Sequence, residues 1–451
     1  MPPLRRTAAA TTSPVPRAPH ALPVIGHGLP FLRDPLKFLT GLPHHGDLVR
    51  VRLGPVPAVV VCAPDLVHDV LVDDALFDKG GPFYDRIRDT VGNGVATCPH
   101  RDHRRQRRLA QPAFHPTRMP RYAATMVSHI EETLDTWHDG EDIDVLAAMQ
   151  EISTKVTCAT MFSAMAPTDL NQISDDITTW FAGTYKRIFL PSAFNRLPTR
   201  DNQRYEHARN RLRHTTETLI AERRADPTDR GDLLSIILAH YPDDPTAGHS
   251  TELVDQVVTV LTGGVDTTAN VLAWALHSVA HDFDLQRRLR TEANEVLGAG
   301  PATHEDIPRL ELTARVVTET LRLYPPGWIL TRITARDTRI GRHPVSAGTT
   351  LLISPYLIHR RSDLYPRPHR FDPDRWRSDR TPPARHAYLP FGGGARKCMG
   401  DTFATMQSIL TLATLVSRWR LHPRPGPPPR AAAAISLRPS GLSLRIARTA
   451  K

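Results

Sequence analysis

Lysine is nearly missing from this chain. It stands at six positions, Lys37, Lys79, Lys155, Lys186, Lys397 and Lys451, so arginine supplies almost all of the 57 basic side chains. Cysteine is scarce as well. Cys62, Cys98, Cys158 and Cys398 lie far apart with no CxxC pair, which argues against a zinc ribbon, and a chain of 451 residues needs no disulfide frame. A reducing, cytoplasmic setting is the expectation. No apolar run reaches the ~20 residues of a membrane span. The N-terminal "MPPLRRTAAATTSPVPRAPHALPVIGHG" also lacks the apolar centre of a signal peptide. Residues 1–20 read as a disordered, proline-rich lead, and residues 21–451 as a single domain.

What remains is a soluble, globular composition, 40% hydrophobic and 23% charged, on a chain long enough to bury a large core. The 57 basic and 47 acidic residues leave a net charge of +10. That balance favours an acidic partner, whether nucleic acid, anionic membrane or acidic protein, and chooses among them no further.

Hydropathy patterning gives a mainly α chain with a minor β part. "GDLVRVRLGPVPAVVVCAP" alternates, turns at Gly54-Pro55 and alternates again, as a β-hairpin does. From Asp102 to about His240 the pattern is helical, broken at "APTD", "LPSAFNRLPTRD" and "RADPTDRGD". A long apolar helix spans about Thr251–His281, and another spans Leu310–Leu323 and stops at Pro325-Pro326. Short strands follow near Thr331–Ile340 and Thr349–Ile353. A coil over Tyr365–Arg385 leads to the loop "FGGGARKCMG" and a final helix.

Four stretches carry candidate chemistry. In the long helix, "TGGVDTT" (Thr262–Thr268) breaks the apolar face. Two helices joined by a loop would account for it, and so would one helix bulged over a ligand, with a hydroxyl and a carboxylate facing it. A phosphate loop would need GK[ST] after a strand, which is absent. In "ETLR", Glu319 and Arg322 share a helix face at spacing i,i+3 among apolar neighbours, a buried pair that needs further hydrogen-bond partners. Arg370 in "PHRFDPDRW" is the candidate third member. The basic run around Arg101–Arg108 puts His103 and Arg107 on one helix face and Arg104, Arg105 and Arg108 on the others; no nucleic-acid module accompanies it. Finally, Cys398 sits between a glycine-rich turn and a helix start. Glycine admits close backbone approach, and a helix N-terminus favours a thiolate. Both suit a metal-ligating cysteine.

Taken together these residues resemble the cytochrome P450 family, from about residue 20 to the end. Phe391, Gly394, Arg396, Cys398 and Gly400 fit its FxxGxRxCxG haem loop, Glu319-x-x-Arg322 its ExxR helix, "PHRFDPDRW" its PERF region, and Asp266-Thr267 its acid–alcohol pair. The resemblance implies a triangular helical prism with small β-sheets, holding haem b. Cys398 would be the axial thiolate of the iron, donating electron density that favours O–O cleavage. Asp266 and Thr267 would deliver protons during oxygen activation, and Glu319, Arg322 and Arg370 would be structural. His103, Arg107, Arg332 and Arg396 would hold the haem propionates. Three departures stand out: Gly263 where alanine is usual, His369 where PERF has glutamate, and Lys397 beside the ligand.

Stretches such as "HGDLVRVRLGP" and "ETLRLYPPGWILTR" resemble bacterial terpene-oxidising members. That implies oxidation of a methyl group of a cyclic, pentalenene-like sesquiterpene to alcohol and then aldehyde in antibiotic biosynthesis. O2 would be the oxidant, and ferredoxin with its reductase the electron source. Phe83, Tyr84, Val260, Leu261, Trp328 and Ile329 are candidate substrate contacts. Arg104, Arg105, Arg108 and Lys397 would face an acidic ferredoxin. Alternatives are another apolar metabolite as substrate, an isomerase or peroxide-driven member, a haem carrier, and a terpene cyclase, because "DDALFD" (Asp73–Asp78) resembles a magnesium motif.

Overall fold

The computed structural model describes residues 13–163, 167–189, 192–226, 228–240 and 249–449. The expected hairpin forms as β1 (Leu48–Leu53) and β2 (Val56–Val61), with Arg52 opposite Pro57 in an antiparallel ladder. It is completed by β3 (Phe77–Asp78), β4 (Leu330–Thr334) and β5 (Thr350–Ile353) in the order β1-β2-β5-β4-β3. Only the β2–β5 pair is parallel. Strands from opposite ends of the chain therefore share one sheet. The lead is less free than its composition suggests: Val15 and Ala18 are buried, and along the edge of β1 Ala18 N donates to the Arg50 carbonyl while Arg50 N donates to the Pro16 carbonyl. Residues 1–12 lie outside the described part.

The helices that build the site are α1 (Gly81–Val91), α2 (His100–Ala110), α3 (Met119–Asp135), α4 (Val145–Phe162), α5 (Arg200–Ala225), α6 (His249–Ala280), α7 (Glu311–Leu323) and α8 (Asp401–Arg418). The interior of one apolar cluster is formed by α3, α4, α6 and α8, and a second cluster lies under the sheet. The central helix, α6, runs unbroken through "TGGVDTT", so the two-helix alternative falls. Two interior glycines cost about 2 kcal/mol relative to alanine, and tertiary contact offsets this. At Gly264 a Cβ would lie 2.9 Å from Thr157 Oγ1 of α4, so glycine is what lets the two helices close. The sequence pattern did not reveal the last hairpin, β6 (Arg430–Ala433) with β7 (Leu437–Ser440), which folds back against α6. Among the described residues no helix is long and apolar enough to cross a membrane.

Candidate functional site

The loop before α8 is built by backbone conformation. Gly392 and Gly394 have φ of +73° and +64°. At Gly394 a Cβ would lie 2.0 Å from the Leu71 carbonyl oxygen, so the turn is pressed onto the end of the helix Pro64–Val72. The glycine requirement therefore comes from packing under the loop as well as from approach to a ligand. Cys398 N donates to Phe391 O (3.0 Å) and Lys397 N to Gly394 O (3.1 Å), which closes the turn. Cys398 then lines a cavity of about 420 Å³, within the roughly 300–1,000 Å³ of small-molecule sites.

Placement ahead of α8 does not by itself lower the thiol's pKa. Burial pushes the Cys398 thiol up and the Asp401 carboxylate adds to this, against the opposing pull of the Gly400 N–H, Arg107 and Lys79. A cation bound to sulfur would reverse that balance. Cys398 itself opens onto the cavity, whereas Cys62 and Cys158 are buried, and burial pushes both of those thiols up to about 12, which leaves them inert.

The same cavity is lined by His103, Arg107, Arg332 and Arg396, the four expected propionate partners, and by Lys79, which sequence reasoning passed over. Only Arg396 is paired with carboxylates; the other four gather without an ion pair among the described residues. Burial, with help from Arg332 and Arg396, brings the Lys79 ammonium down to about 7. Burial, with the charges of Arg396, Lys79 and Arg107, takes His103 down to about 3. Arg332 is buried, and its Nε has no hydrogen-bond partner among the described residues, a costly state that an anionic occupant would relieve. Arg107 donates from Nη1 to the carbonyls of Ala395 (2.8 Å) and Lys397 (2.7 Å), tying α2 to the cysteine loop. Arg396 is held otherwise: Nε on Asp74 (2.9 Å), Nη2 on Asp78 (3.0 Å) and Nη1 on the Cys98 carbonyl (2.8 Å). The acidic run at residues 73–78 is thus a counter-charge for Arg396.

The haem implied by the cysteine loop fits these residues. A thiol ligand, apolar walls from Phe391, Met399, Leu321 and Val271, and a cluster of cations short of anions suit a metal macrocycle carrying carboxylates.

The cavity that holds Cys398 is also walled by α6, through Val260, Gly263, Gly264, Thr267, Thr268 and Val271. Thr267 Oγ1 donates to the Gly263 carbonyl (2.6 Å), one turn back. Asp266 does not line the cavity. It is buried behind α6, bonded to Asn270 and Ser436. The two glycines differ: no atom lies within 4 Å of a Cβ built on Gly263, whereas Gly264 is closed off by Thr157. Gly263→Ala should therefore fold normally and narrow the cavity. Gly264→Ala should cost about 1–3 kcal/mol through overpacking. Chemical denaturation of both variants checks this, and an equal loss in both would refute the placement.

Glu319 and Arg322 on α7 are both fully buried and joined by two bonds, Nη2–Oε1 at 2.7 Å and Nε–Oε2 at 2.8 Å. The predicted third partner is corrected. "PHRFDPDRW" contains proline-x-arginine-aromatic twice, at Pro368–Phe371 and at Pro373–Trp376, and the fold uses the second. Arg375 Nε reaches Glu319 Oε1 (3.4 Å), with Asp372 N (3.0 Å) and Trp376 Nε1 (2.8 Å) completing the carboxylate shell. Arg370 gives only its backbone carbonyl to Arg322 (3.2 Å), and its side chain is exposed. The acidic position belongs to Asp374, which pairs with Arg288 (2.9 Å) and Arg315 (2.7 Å), so His369 replaces nothing in this network. Buried His359 links it to the cysteine loop's approach, with Nδ1 at the Arg322 carbonyl (3.0 Å) and Nε2 accepting from Leu389 N (2.9 Å). Burial takes its imidazole down to about 3, so it stays neutral.

Of the six proposed substrate contacts, Tyr84 and Val260 line the cavity. The other four do not. Leu261 and Trp328 are core, the latter donating Nε1 to the Ala434 carbonyl (2.9 Å); Phe83 stacks edge-on against Tyr84; Ile329 packs against the sheet cluster. Met161, Thr157, Thr259, Pro326 and Leu330 line it instead. Helical periodicity placed side chains on faces and could not say which face met the void. On the outside, Arg104 and Arg108 line an open groove beside Gly394 and Ala395. Arg105 pairs with Glu252 (2.7 Å) and Lys397 with Asp401 (2.5 Å).

These features have counterparts in known proteins. The family model described as Cytochrome P450 matches residues 16–446. The chain is 43% identical to the pentalenene oxygenase of Streptomyces avermitilis over 432 residues, 95% of this chain and 96% of the relative. It is 41% identical to the cyclooctat-9-en-7-ol 5-monooxygenase of Streptomyces melanosporofaciens, covering 91% and 90%. The crystal structure of the cytochrome P450DA heme domain superposes with a TM-score of 0.85 at 22% identity, covering 97% of this chain and 98% of that one. Cys398 in its glycine turn, the buried Glu319–Arg322 pair and a match along nearly the whole length have one explanation: the chain belongs to the cytochrome P450 family.

Proposed function

We propose that this protein is a haem b monooxygenase of cyclic terpenes, oxidising a methyl group of a pentalenene-like sesquiterpene to an alcohol and then an aldehyde. The observation that carries this is one cavity lined both by Cys398 and by the Val260–Val271 face of α6. Similarity to a pentalenene oxygenase and to a cyclooctat-9-en-7-ol monooxygenase supports the substrate class. When bound, the haem supplies oxygen activation at a thiolate-ligated iron. The chain's own part is binding, orientation and proton supply. Val260, Met161, Val271 and Leu330 offer a hydrocarbon apolar surface, so shape selects the substrate. Thr267 holds a hydroxyl at that wall, and Asp266 behind it is the proton reserve.

Electrons would come from a ferredoxin and its reductase. Arg104 and Arg108 beside the cysteine loop, which have no ion pair among the described residues, suit an acidic donor, and the attraction weakens with salt. A cyclase reading loses its motif, because Asp74 and Asp78 are already bound to Arg396. The test is incubation with ferredoxin, its reductase, NADPH and a panel of cyclic sesquiterpenes, with mass analysis for added oxygen. Absence of any oxygenated terpene would overturn the assignment. Thr267→Ala should still take up haem, while product per NADPH falls about tenfold or more and peroxide rises in its place, consistent with loss of a positioned proton donor. Unchanged coupling would refute its role.

A further inference from the structure

The acid of the acid–alcohol pair is held from an unexpected direction. Asp266 sits on the side of α6 away from the cavity, where the C-terminal hairpin β6–β7 meets the helix. Ser436, from the turn of that hairpin, donates its hydroxyl to Asp266 Oδ2. Asn270 Nδ2 donates to the same oxygen (3.0 Å) and to Ser436 Oγ (2.9 Å), which closes a buried triangle. Among the described residues Asp266 Oδ1 makes no direct hydrogen bond, although the Gln150 side chain faces the carboxyl and lowers its pKa, and two residues beyond Ser436 the buried Nε and Nη2 of Arg438 have no partner either. The hairpin tip is itself anchored beside the cavity wall. Trp328 Nε1 donates to Ala434 O (2.9 Å) and Leu437 N to Pro326 O (3.1 Å).

A buried carboxyl with one oxygen tied and the other without a direct hydrogen bond, beside a half-buried Arg438 two of whose nitrogens lack an acceptor, is not a closed structural pair. A packing-only carboxylate would be fully bonded, as Glu319 is. We propose that Ser436 and Arg438 are positioning residues for Asp266, Ser436 parking the acid behind α6 and Arg438 setting how readily it releases and regains a proton. The proton lost toward the Thr267 side is replaced from water reaching the carboxyl beside Arg438, so the acid ends each cycle unchanged. This rests on the reading of Asp266 as the proton reserve.

The groups facing the carboxyl are Arg438 from β7, Ser436 from the hairpin turn, Asn270 from α6 itself and Gln150 from α4. Burial raises the Asp266 pKa, and all four oppose it. Removing Ser436 or Arg438 therefore raises it further, and the protonated form persists to higher pH. The ammonium of Arg438→Lys keeps the charge and should keep most of the effect.

The experiment uses the holoenzyme with two readouts. Infrared difference spectra follow the protonated-carboxyl stretch with pH, the Asp266 band being the one absent from Asp266→Asn. The pH profile of product formed per NADPH is followed in parallel. For Ser436→Ala and for Arg438→Gln the carboxyl midpoint and the profile should both move about one pH unit alkaline. Arg438→Lys should move less than Arg438→Gln, and the carbon monoxide spectrum should be retained throughout. If Asp266→Asn uncouples the enzyme while Ser436→Ala and Arg438→Gln leave the midpoint in place, the hairpin is packing and the inference fails alone. If Asp266→Asn leaves coupling unchanged, the reading of Asp266 fails with it.

Discussion

Cys398→Ser will give a folded protein that no longer shows the thiolate-type red-shifted Soret band after reduction and exposure to carbon monoxide. Monooxygenase turnover should fall by at least about a thousandfold, equivalent to about 4 kcal/mol of barrier. A serine hydroxyl fits the turn, since the loop is closed by Cys398 N on Phe391 O and Lys397 N on Gly394 O, neither of which involves the side chain. What disappears is the one thiol among the described residues that line the cavity. Cys62 and Cys158 are buried in core, and burial keeps both protonated. Cys62→Ala should therefore keep the band in full. A normal spectrum from Cys398→Ser, or loss of the band in Cys62→Ala, would overturn the assignment of the ligand.

The second large effect is on stability. Glu319→Ala leaves the Arg322 guanidinium buried without its counter-charge, and breaking such a pair costs about 3–5 kcal/mol. Arg322 would retain bonds only to carbonyls, at His359 (2.8 Å), Pro368 (2.7 Å) and Arg370 (3.2 Å). Arg375→Ala removes one arm of the carboxylate shell and should cost about 1–3 kcal/mol. Arg370→Ala, whose side chain is exposed, should stay within about 0.5 kcal/mol. Urea unfolding of the three variants ranks them. Equal losses at Arg370 and Arg375 would refute the second of the two overlapping motifs as the one the fold uses.

That motif shows where sequence reading stops. Pro368–Phe371 and Pro373–Trp376 have the same pattern, and local chemistry gives no reason to prefer either. The choice is made by where the coil lies against α7, which brings Asp372 N, Arg375 and Trp376 to Glu319 together. Lys79 was missed for a similar reason: its neighbours signal a turn, and its importance comes from Arg332 and Arg396, far away in sequence but facing the same cavity. Asp74 and Asp78 looked like a metal motif because their partner, Arg396, is more than three hundred residues away.

The sequence alone determined what depends on short spacing. A glycine turn ahead of Cys398, an i,i+3 ion pair among apolar residues, and the extents of α6 and α7 within about two residues were all legible, because helical periodicity and turn chemistry act over a few residues. Tertiary structure decided what depends on long-range contact. It set which carboxylates neutralise Arg396, which arginine completes the Glu319 shell, and which side chains face the void. It also decided that α6 stays one helix through Gly263 and Gly264, and that a hairpin near the C-terminus holds Asp266. These pairings join segments up to about three hundred residues apart, where the energy comes from burial and from satisfying buried polar groups, and neither is written in the local pattern.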